Sequence, residues 1–350
     1  MSMGGALPDQ KNLVVGLCVT GPDEYWALAV ATLVSVKAHL DVAPSRILIA
    51  TDQEENFGLL KQLRGVFGCE LIQVAPRGFY SDLVPKMKGN YATYWKLDLF
   101  NALGDDEVLM YIDVDAFAIG KLNVSNIIEV LGDGEFHLAA VPSPRPVLER
   151  VAATRIRNPY DYFNAGVLFG VKDARYKTSS IADAYEAIVK FDTLNVFWHD
   201  QDIFNYLFRG DTFKLPYAYN VHTGYLLNNF RAPYLVNGLA SEDIDRNGKV
   251  AHVSGDFLLS RRYHPYKRQF ALLIDTCIST LVSAGCLESV NWAGLRAALA
   301  RLRDNATRTS IDYVLQCVGM RKRAFAAHYY CPSLKSTLRK VKWFVKLGRR

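Results

Sequence analysis

At 350 residues the chain is longer than a minimal domain, and it carries 41 Lys and Arg against 35 Asp and Glu. Half of it is hydrophobic and 22% is charged, which excludes a disordered chain, while 24 glycines and 13 prolines exclude collagen and low-complexity linkers. From Tyr313 to Arg350 there are ten Lys or Arg and no Asp or Glu, leaving 31 basic against 35 acidic residues before them. This is a slightly acidic body with a basic tail, not a uniformly basic nucleic-acid binder.

The start, MSMGGALPDQKNLVVG, has no basic region followed by a long apolar run, so no signal peptide is expected. Leu13–Thr20 reads as a buried strand, and Asp23 is placed to cap a helix bearing Trp26, Val30, Leu33 and Val34. Arg46–Thr51 and Cys69–Val74 read as strands, with a helical pattern over Glu54–Phe67 between them. Glu107–Ile112 is another strand, and His137–Val141, Val167–Val171 and Lys249–Val253 are later apolar segments. Alternating strands and helices argue for an α/β fold around a doubly wound, mostly parallel sheet. Phe270–Val282 and Trp292–Leu302 look helical, with RLRDNATRTS (301–310) as a polar break. The expected division is a body over 1–265, a helical appendix over 266–330 and a basic tail over 331–350. No run reaches the roughly 18 apolar residues of a membrane span. The six cysteines (18, 69, 277, 286, 317 and 331) form no close pair or finger spacing, which fits reduced thiols in a cytoplasm.

Four segments carry polar groups suited to chemistry. In Tyr111-Ile-Asp-Val-Asp-Ala116 an apolar strand runs into two carboxylates, Asp113 and Asp115, that alternate onto one face. At the carboxyl end of a strand they suit a hard divalent cation, although one Asp can also cap a turn with the other solvated. In Asp161-Tyr-Phe-Asn-Ala-Gly-Val-Leu168, Asn164 and Gly166 read either as a ligand contact or as a turn before a core strand. In His199-Asp-Gln-Asp-Ile-Phe-Asn205, Asp200 and Gln201 face a pocket at a helix start, or Asp200 or Asp202 caps that helix. In Val250-Ala-His-Val-Ser-Gly255, His252 is a metal ligand or a hydrogen-bonded structural histidine.

In this order and spacing the four segments resemble glycosyltransferase family 8, which includes glycogenins and bacterial lipooligosaccharide α-glycosyltransferases. FNAGVL, DQDIFN-x-LF and Tyr219-Asn-Val-His-Thr-Gly-Tyr225 look closer to the bacterial galactosyltransferase branch. The resemblance covers roughly residues 13–256 and implies a GT-A fold with a Rossmann-like central sheet and flanking helices. It implies a retaining hexosyltransferase that moves glucose or galactose from UDP-glucose or UDP-galactose to a glycan or glycolipid acceptor with Mn²⁺ or Mg²⁺. Asp113, Asp115 and His252 are then the metal ligands. Val19 and Thr20 receive the uracil, and Tyr25 stacks on it. Lys96, Val114, Asn164 and Ala165 line the donor site, and Gly255 lies against the phosphates. The resemblance likewise implies that Asp200 and Gln201 are the catalytic pair and hold the sugar together with Asn164. The family pattern continues to a Lys-Pro-Trp after the His; here Leu258 stands at the Lys position, with Arg261 or Arg262 as substitutes.

Competing expectations are a self-glucosylating primer using Tyr217, Tyr219 or Tyr225, a nucleotidyltransferase, and a non-catalytic glycan- or membrane-binding relative. The nucleotidyltransferase is disfavoured because Thr20-Gly-Pro-Asp-Glu24 lacks a basic phosphate loop. In the tail, Leu334, Leu338, Val341 and Val345 recur at helical spacing among Lys335, Arg339, Lys340, Lys342, Lys346, Arg349 and Arg350. Such a segment suits the surface of an anionic membrane, and no nucleic-acid partner is expected. A cytoplasmic enzyme, peripheral on the inner face of a membrane, is the implied localisation; an ordinary packed C-terminal helix is the alternative.

Overall fold

The apolar runs assemble into one seven-stranded sheet. β1 (Asn12–Cys18), β2 (Arg46–Thr51), β3 (Cys69–Gln73) and β4 (Glu107–Ile112) pair in parallel in the order β3-β2-β1-β4. β7 (Phe163–Val171) runs antiparallel to both β4 and β6 (Leu138–Pro142), and β8 (Thr212–Lys214) closes the edge parallel to β6. The expected mostly parallel α/β sheet is therefore present, with β7 as the strand running against its neighbours. A second sheet of three short strands, β5 (Ala116–Ala118), β10 (Val250–His252) and β9 (Val221–His222), stands beyond the carboxyl end of β4. This computed structural model describes residues 11–53, 58–74, 91–143, 146, 148–190, 199–222, 248–253, 267–283 and 293–307. They belong to a compact unit over residues 1–308. The basic tail, Gly255, Leu258, Arg261, Arg262 and Tyr225 lie outside the described residues.

Strand alternation divides the core in two. Leu13, Val15 and Leu17 of β1, with Val108, Met110 and Ile112 of β4, face α1 (Asp23–His39). Val14, Leu109 and Tyr111 face the opposite layer. That layer contains α3 (Lys96–Asn101), α6 (Thr178–Val189) and α7 (His199–Leu207); α2 (Gly58–Phe67), α4 (Val124–Gly132) and α5 (Leu148–Ala153) complete the body. α1 is apolar all round, and every residue from Trp26 to Val36 is buried. A helix of that kind needs cover on two sides. The sheet supplies one, and α8 (Lys267–Ser283) with α9 (Ala293–Thr307) supplies the other through Phe270, Ile274, Leu281, Leu295 and Leu299.

Three local expectations are corrected. Pro22 occupies the N-cap of α1, and Asp23 lies inside the first turn with no capping bond. α9 continues through Thr307, so the polar stretch after Leu302 begins as helix. There Arg301 pairs with Glu24 at 2.6 Å and Arg303 with Asp275 at 2.5 Å, charges distant in sequence that accommodate a polar turn of helix. Asn164 and Gly166 lie within β7 instead of at a turn before it. Cys18, Cys69 and Cys277 are buried free thiols, and burial pushes Cys69 and Cys277 up to about 12, as small buried hydrophobes behave.

Candidate active site

Asp113 follows the last residue of β4, and its N–H donates to the Gly166 carbonyl at 2.8 Å, fastening it to β7. The chain turns back through Val114 and Asp115 into β5. Thr32 of α1 holds that turn, its hydroxyl lying 3.0 Å from Val114 O and 2.8 Å from Ala116 O, the carbonyls flanking Asp115. Ser35 adds a second pin by accepting the Ala118 N–H at 3.0 Å. β10 pairs antiparallel with β5 so that His252 stands opposite Ala116, and Val253 N–H donates to Asp115 O at 2.9 Å. The second sheet thus delivers His252 to the two carboxylates. Its Nε2 lies 3.3 Å from Asp115 Oδ1 and 3.7 Å from Asp113 Oδ2.

These three side chains present ligand atoms within 4.8 Å of one another. Two carboxylates and one imidazole suit a divalent cation, with the nitrogen shifting preference towards transition ions. Gly166 shows how tightly the cluster is built. A Cβ there would lie 2.1 Å from His252 Cε1 and 2.8 Å from Asp113 Oδ2. The glycine expected to open backbone to a ligand instead admits the imidazole. The charges follow from the packing. Burial raises the Asp113 carboxyl above its ordinary range, with Lys96 and His252 pulling down and Asp115 pushing up. Burial alone would lower His252, but Asp115 and Asp113 outweigh it and hold the imidazole above its ordinary value. His222, edge-on to His252 with ring centroids 4.7 Å apart, is pushed down to about 3 by burial and by its charged neighbour.

Lys96 opens α3 at 1% exposure. Its ammonium sits 2.6 Å from Asp200 Oδ2, 2.9 Å from Ala165 O and 3.7 Å from Asp113 Oδ1, and 4.4 Å from the centre of the Tyr111 ring. Burial would lower this lysine, but Asp113 and Asp200 hold it above its ordinary value. Expected at the donor site, it ties α7 to β7 through Asp200 and Ala165 and stands beside Asp113. Asn205 makes the second tie: its amide donates to Phe163 O and Gln201 O and accepts the Phe163 N–H, all within 2.9 Å.

Asn164 Nδ2 donates to Gln201 Oε1 at 3.1 Å, so the Asn and Gln of separate sequence segments meet. Gln201 Nε2 donates to Tyr162 OH at 3.0 Å; Tyr162 donates to Asp202 Oδ1 at 2.5 Å; Asp202 pairs with buried Arg150 at 3.3 Å. Asp202 is therefore an ion-pair partner in the first turn of α7 and not its cap. Tyr162, Arg150, Asn220 and Thr32 were not singled out as site residues from the sequence. The nearest signal was Tyr219-Asn-Val-His, noted as a motif without a role for its Asn. Val19 is buried and its N–H continues the sheet to Ala50 O at 2.9 Å; half-buried Thr20 donates to Asp52 at 2.8 Å. Tyr25 is half-buried on the first turn of α1, beside Gly21, whose φ of 90° makes the turn out of β1. These residues stand at the end of β1, the strand paired with β4, and so on the same edge of the sheet as Asp113.

A profile described as Glycosyl transferase family 8 matches residues 17–257, more than half of the chain. No curated protein sequence matches this chain. Among solved structures, the galactosyltransferase LgtC in complex with donor and acceptor sugar analogs is 19% identical, with a TM-score of 0.54 over 85% of this chain and 98% of that one. The apo WbbM bifunctional glycosyltransferase is 16% identical with a TM-score of 0.52, covering 82% of this chain. GlyE from Streptococcus pneumoniae TIGR4 is 18% identical with a TM-score of 0.52, covering 79%. The chain spans 53% of the WbbM chain and 65% of the GlyE chain. At such identities the likeness is one of fold, and it bears out the GT-A architecture.

Proposed function

Since the chain belongs to glycosyl transferase family 8, we propose that it is a retaining hexosyltransferase that moves glucose or galactose from a UDP-sugar to a glycan or glycolipid acceptor. The observation carrying this reading is the convergence of Asp113, Asp115 and His252 beside Asn164, Asp200 and Gln201 at one sheet edge. The triad would hold Mn²⁺ or Mg²⁺, which supplies positive charge to the departing diphosphate. Val19, Thr20 and Tyr25 would take the uracil. Val114, Ala165 and Gly255 would line the phosphates and sugar, and Asn164 and Gln201 would grip sugar hydroxyls.

A glycosidase-like double displacement needs a carboxylate nucleophile near the anomeric carbon. Gln201 is an amide, and Asp200 is committed to Lys96 at 2.6 Å. A front-face displacement fits these residues better, with catalysis mainly by position and electrostatics. The primer reading loses support because Tyr217 and Tyr219 are both buried, and the Tyr219 hydroxyl lies 3.3 Å from Asn123 O. Among the described residues no helix is long and apolar enough to cross a membrane. We retain the proposals of a catalytic body over 1–265, a helical appendix over 266–330, and residues 331–350 as a tether to an anionic membrane.

The deciding experiment is UDP release from a panel of UDP-sugars with and without Mn²⁺, including UDP-glucose and UDP-galactose. Metal-dependent release from one hexose donor is expected. No release from any donor, with or without an oligosaccharide acceptor, overturns the assignment.

A further inference from the structure

The hydrogen bonds behind the triad have a direction, and one backbone group sets it. The Gly166 N–H lies 2.9 Å from a side-chain atom of Asn164. A backbone N–H only donates, so that atom is the carboxamide oxygen Oδ1. Asn220 approaches the same oxygen at 2.8 Å and must present its Nδ2. Its Oδ1 is then turned to His252 Nδ1 at 3.0 Å. Two acceptors do not bond, so Nδ1 carries a hydrogen. The lone pair of the neutral ring belongs to Nε2, the nitrogen turned to Asp113 and Asp115.

We propose that Asn220 is a positioning residue of the cation site, holding His252 as the Nδ1–H tautomer so that Nε2 is presented to the ion. This rests on the cation reading of Asp113, Asp115 and His252 given above. The geometry explains why a carboxamide stands at 220. The position must donate to Asn164 and accept from His252, and Asn220 is 2% exposed, so no solvent can perform either task. A hydrocarbon does neither, and a carboxylate does only the second. The ring is confined as well as polarised, with Gly166 against Cε1 and His222 edge-on beside it. Outer partners of this kind fix both the tautomer and the orientation of a ligating histidine. The same direction reaches the sugar side of the site. Asn164 Nδ2 must donate to Gln201 Oε1, which leaves Gln201 Nε2 for Tyr162. Gly166 and Asn164 therefore orient a metal ligand and the catalytic amide from one point.

The test measures Mn²⁺ affinity without donor, by the electron-spin-resonance signal of unbound Mn²⁺, on the full chain and two variants. Asn220→Leu is expected to weaken binding about tenfold or more. Asn220→Asp still accepts from Nδ1 and is expected to bind at least as tightly as the parent. Wild-type affinity in a folded Asn220→Leu, or equal losses in both variants, would overturn the proposal. Thermal melting without Mn²⁺ establishes that each variant is folded. Should Asn220→Leu not fold, the parent decides. ¹⁵N-histidine spectra of the metal-free protein, at a pH where the ring is neutral and with His252→Gln for assignment, are expected to show hydrogen on Nδ1; hydrogen on Nε2 refutes the assignment. A parent chain that binds no Mn²⁺ overturns the functional reading itself, a failure distinct from the wrong tautomer.

Discussion

Glu107 opens β4 and Asp113 directly follows it, and the two carboxylates are handled differently. Glu107 at its start receives Arg46 Nη1 at 3.0 and 2.9 Å on its two oxygens, plus the Gly104 N–H at 2.7 Å. Arg46 reaches on to Glu70 at 2.8 Å, so one guanidinium ties the starts of β2, β3 and β4. At the far end Asp113 has its cation, Lys96, only at 3.7 Å, and it faces a second carboxylate and an imidazole. A carboxylate filled by a fork of donors is a clasp. One kept beside another acid, with the Tyr111 hydroxyl donating to it and its best cation held off, is a candidate seat for an external charge. Strand chemistry is the same in both places; the donors around each carboxylate decide its role.

The sharpest break of that contrast is one neutral substitution at each end. Asp113→Asn should reduce metal-dependent turnover by about a thousandfold, as losing several kcal/mol of charge stabilisation requires. Its metal-free melting temperature should hold or rise, because the cost of burying a charged carboxyl is removed together with the smaller repulsion from Asp115. Glu107→Gln should keep turnover and lose a little stability. Parallel activity assays and melts decide, and equal loss of activity at both ends would erase the distinction.

Next in size are the two cations. Lys96→Met strands Asp200 and Asp113 in a buried setting and should cost about 3–5 kcal/mol in urea unfolding. Arg46 is part-exposed, and Arg46→Met should cost about 1 kcal/mol and become less costly in salt. A larger loss at Arg46 than at Lys96 would show that the part-exposed fork stabilises the fold more than the buried ammonium does, against the burial argument.

A pH series gives the smallest effect. The folded value of His252 lies above its ordinary value of about 6.5. In the metal-free protein its stabilising charge is fully present below that value and is lost as pH rises through the folded value. Mn²⁺ needs the neutral ring, so its affinity should climb about tenfold per pH unit towards the folded value and then level off. The site at Glu107 contains no such group. Calorimetric titration across this range checks it; a flat affinity would remove His252 from the ligand set.

Much of this contrast was legible beforehand. EVLMYI announced β4, and the Asp-x-Asp after it fell where an α/β sheet binds ligands. Backbone periodicity carries that information locally. The reasons for individual side chains were not local. Gly166 is needed because of a ring 86 positions later, and nothing in FNAGVL says so. The resemblance places Lys96 at the donor site, but nothing local to Tyr-Trp-Lys-Leu says that it is buried; its burial follows from how α3, β7 and α7 pack. Asn220 sat in a recognised motif, yet its task appears only when β9 and β10 pair and bring His252 alongside. From sequence Asn164 reads as lying at a turn, because its strand begins with the polar-interrupted Phe-Asn-Ala before the apolar run starts.

α1 shows what such pinning means for sequence drift. Along most of this helix the surroundings weigh a side chain by volume alone, and Leu28 or Leu33 should exchange with apolar residues of similar size. Thr32 has a second duty, because its hydroxyl holds the carbonyls on both sides of Asp115. Valine matches its shape and fails that duty. A saturation library read twice, once for folding and once for Mn²⁺ retention, should give coincident tolerance maps at 28 and 33. At 32 the two maps should diverge, with valine folding but losing the ion. Identical maps at 32 would show that the hydroxyl is dispensable. A helix buried on every side from Trp26 to Val36 is thus also a place where the loop bearing Asp113 and Asp115 constrains which neutral changes the core can accept.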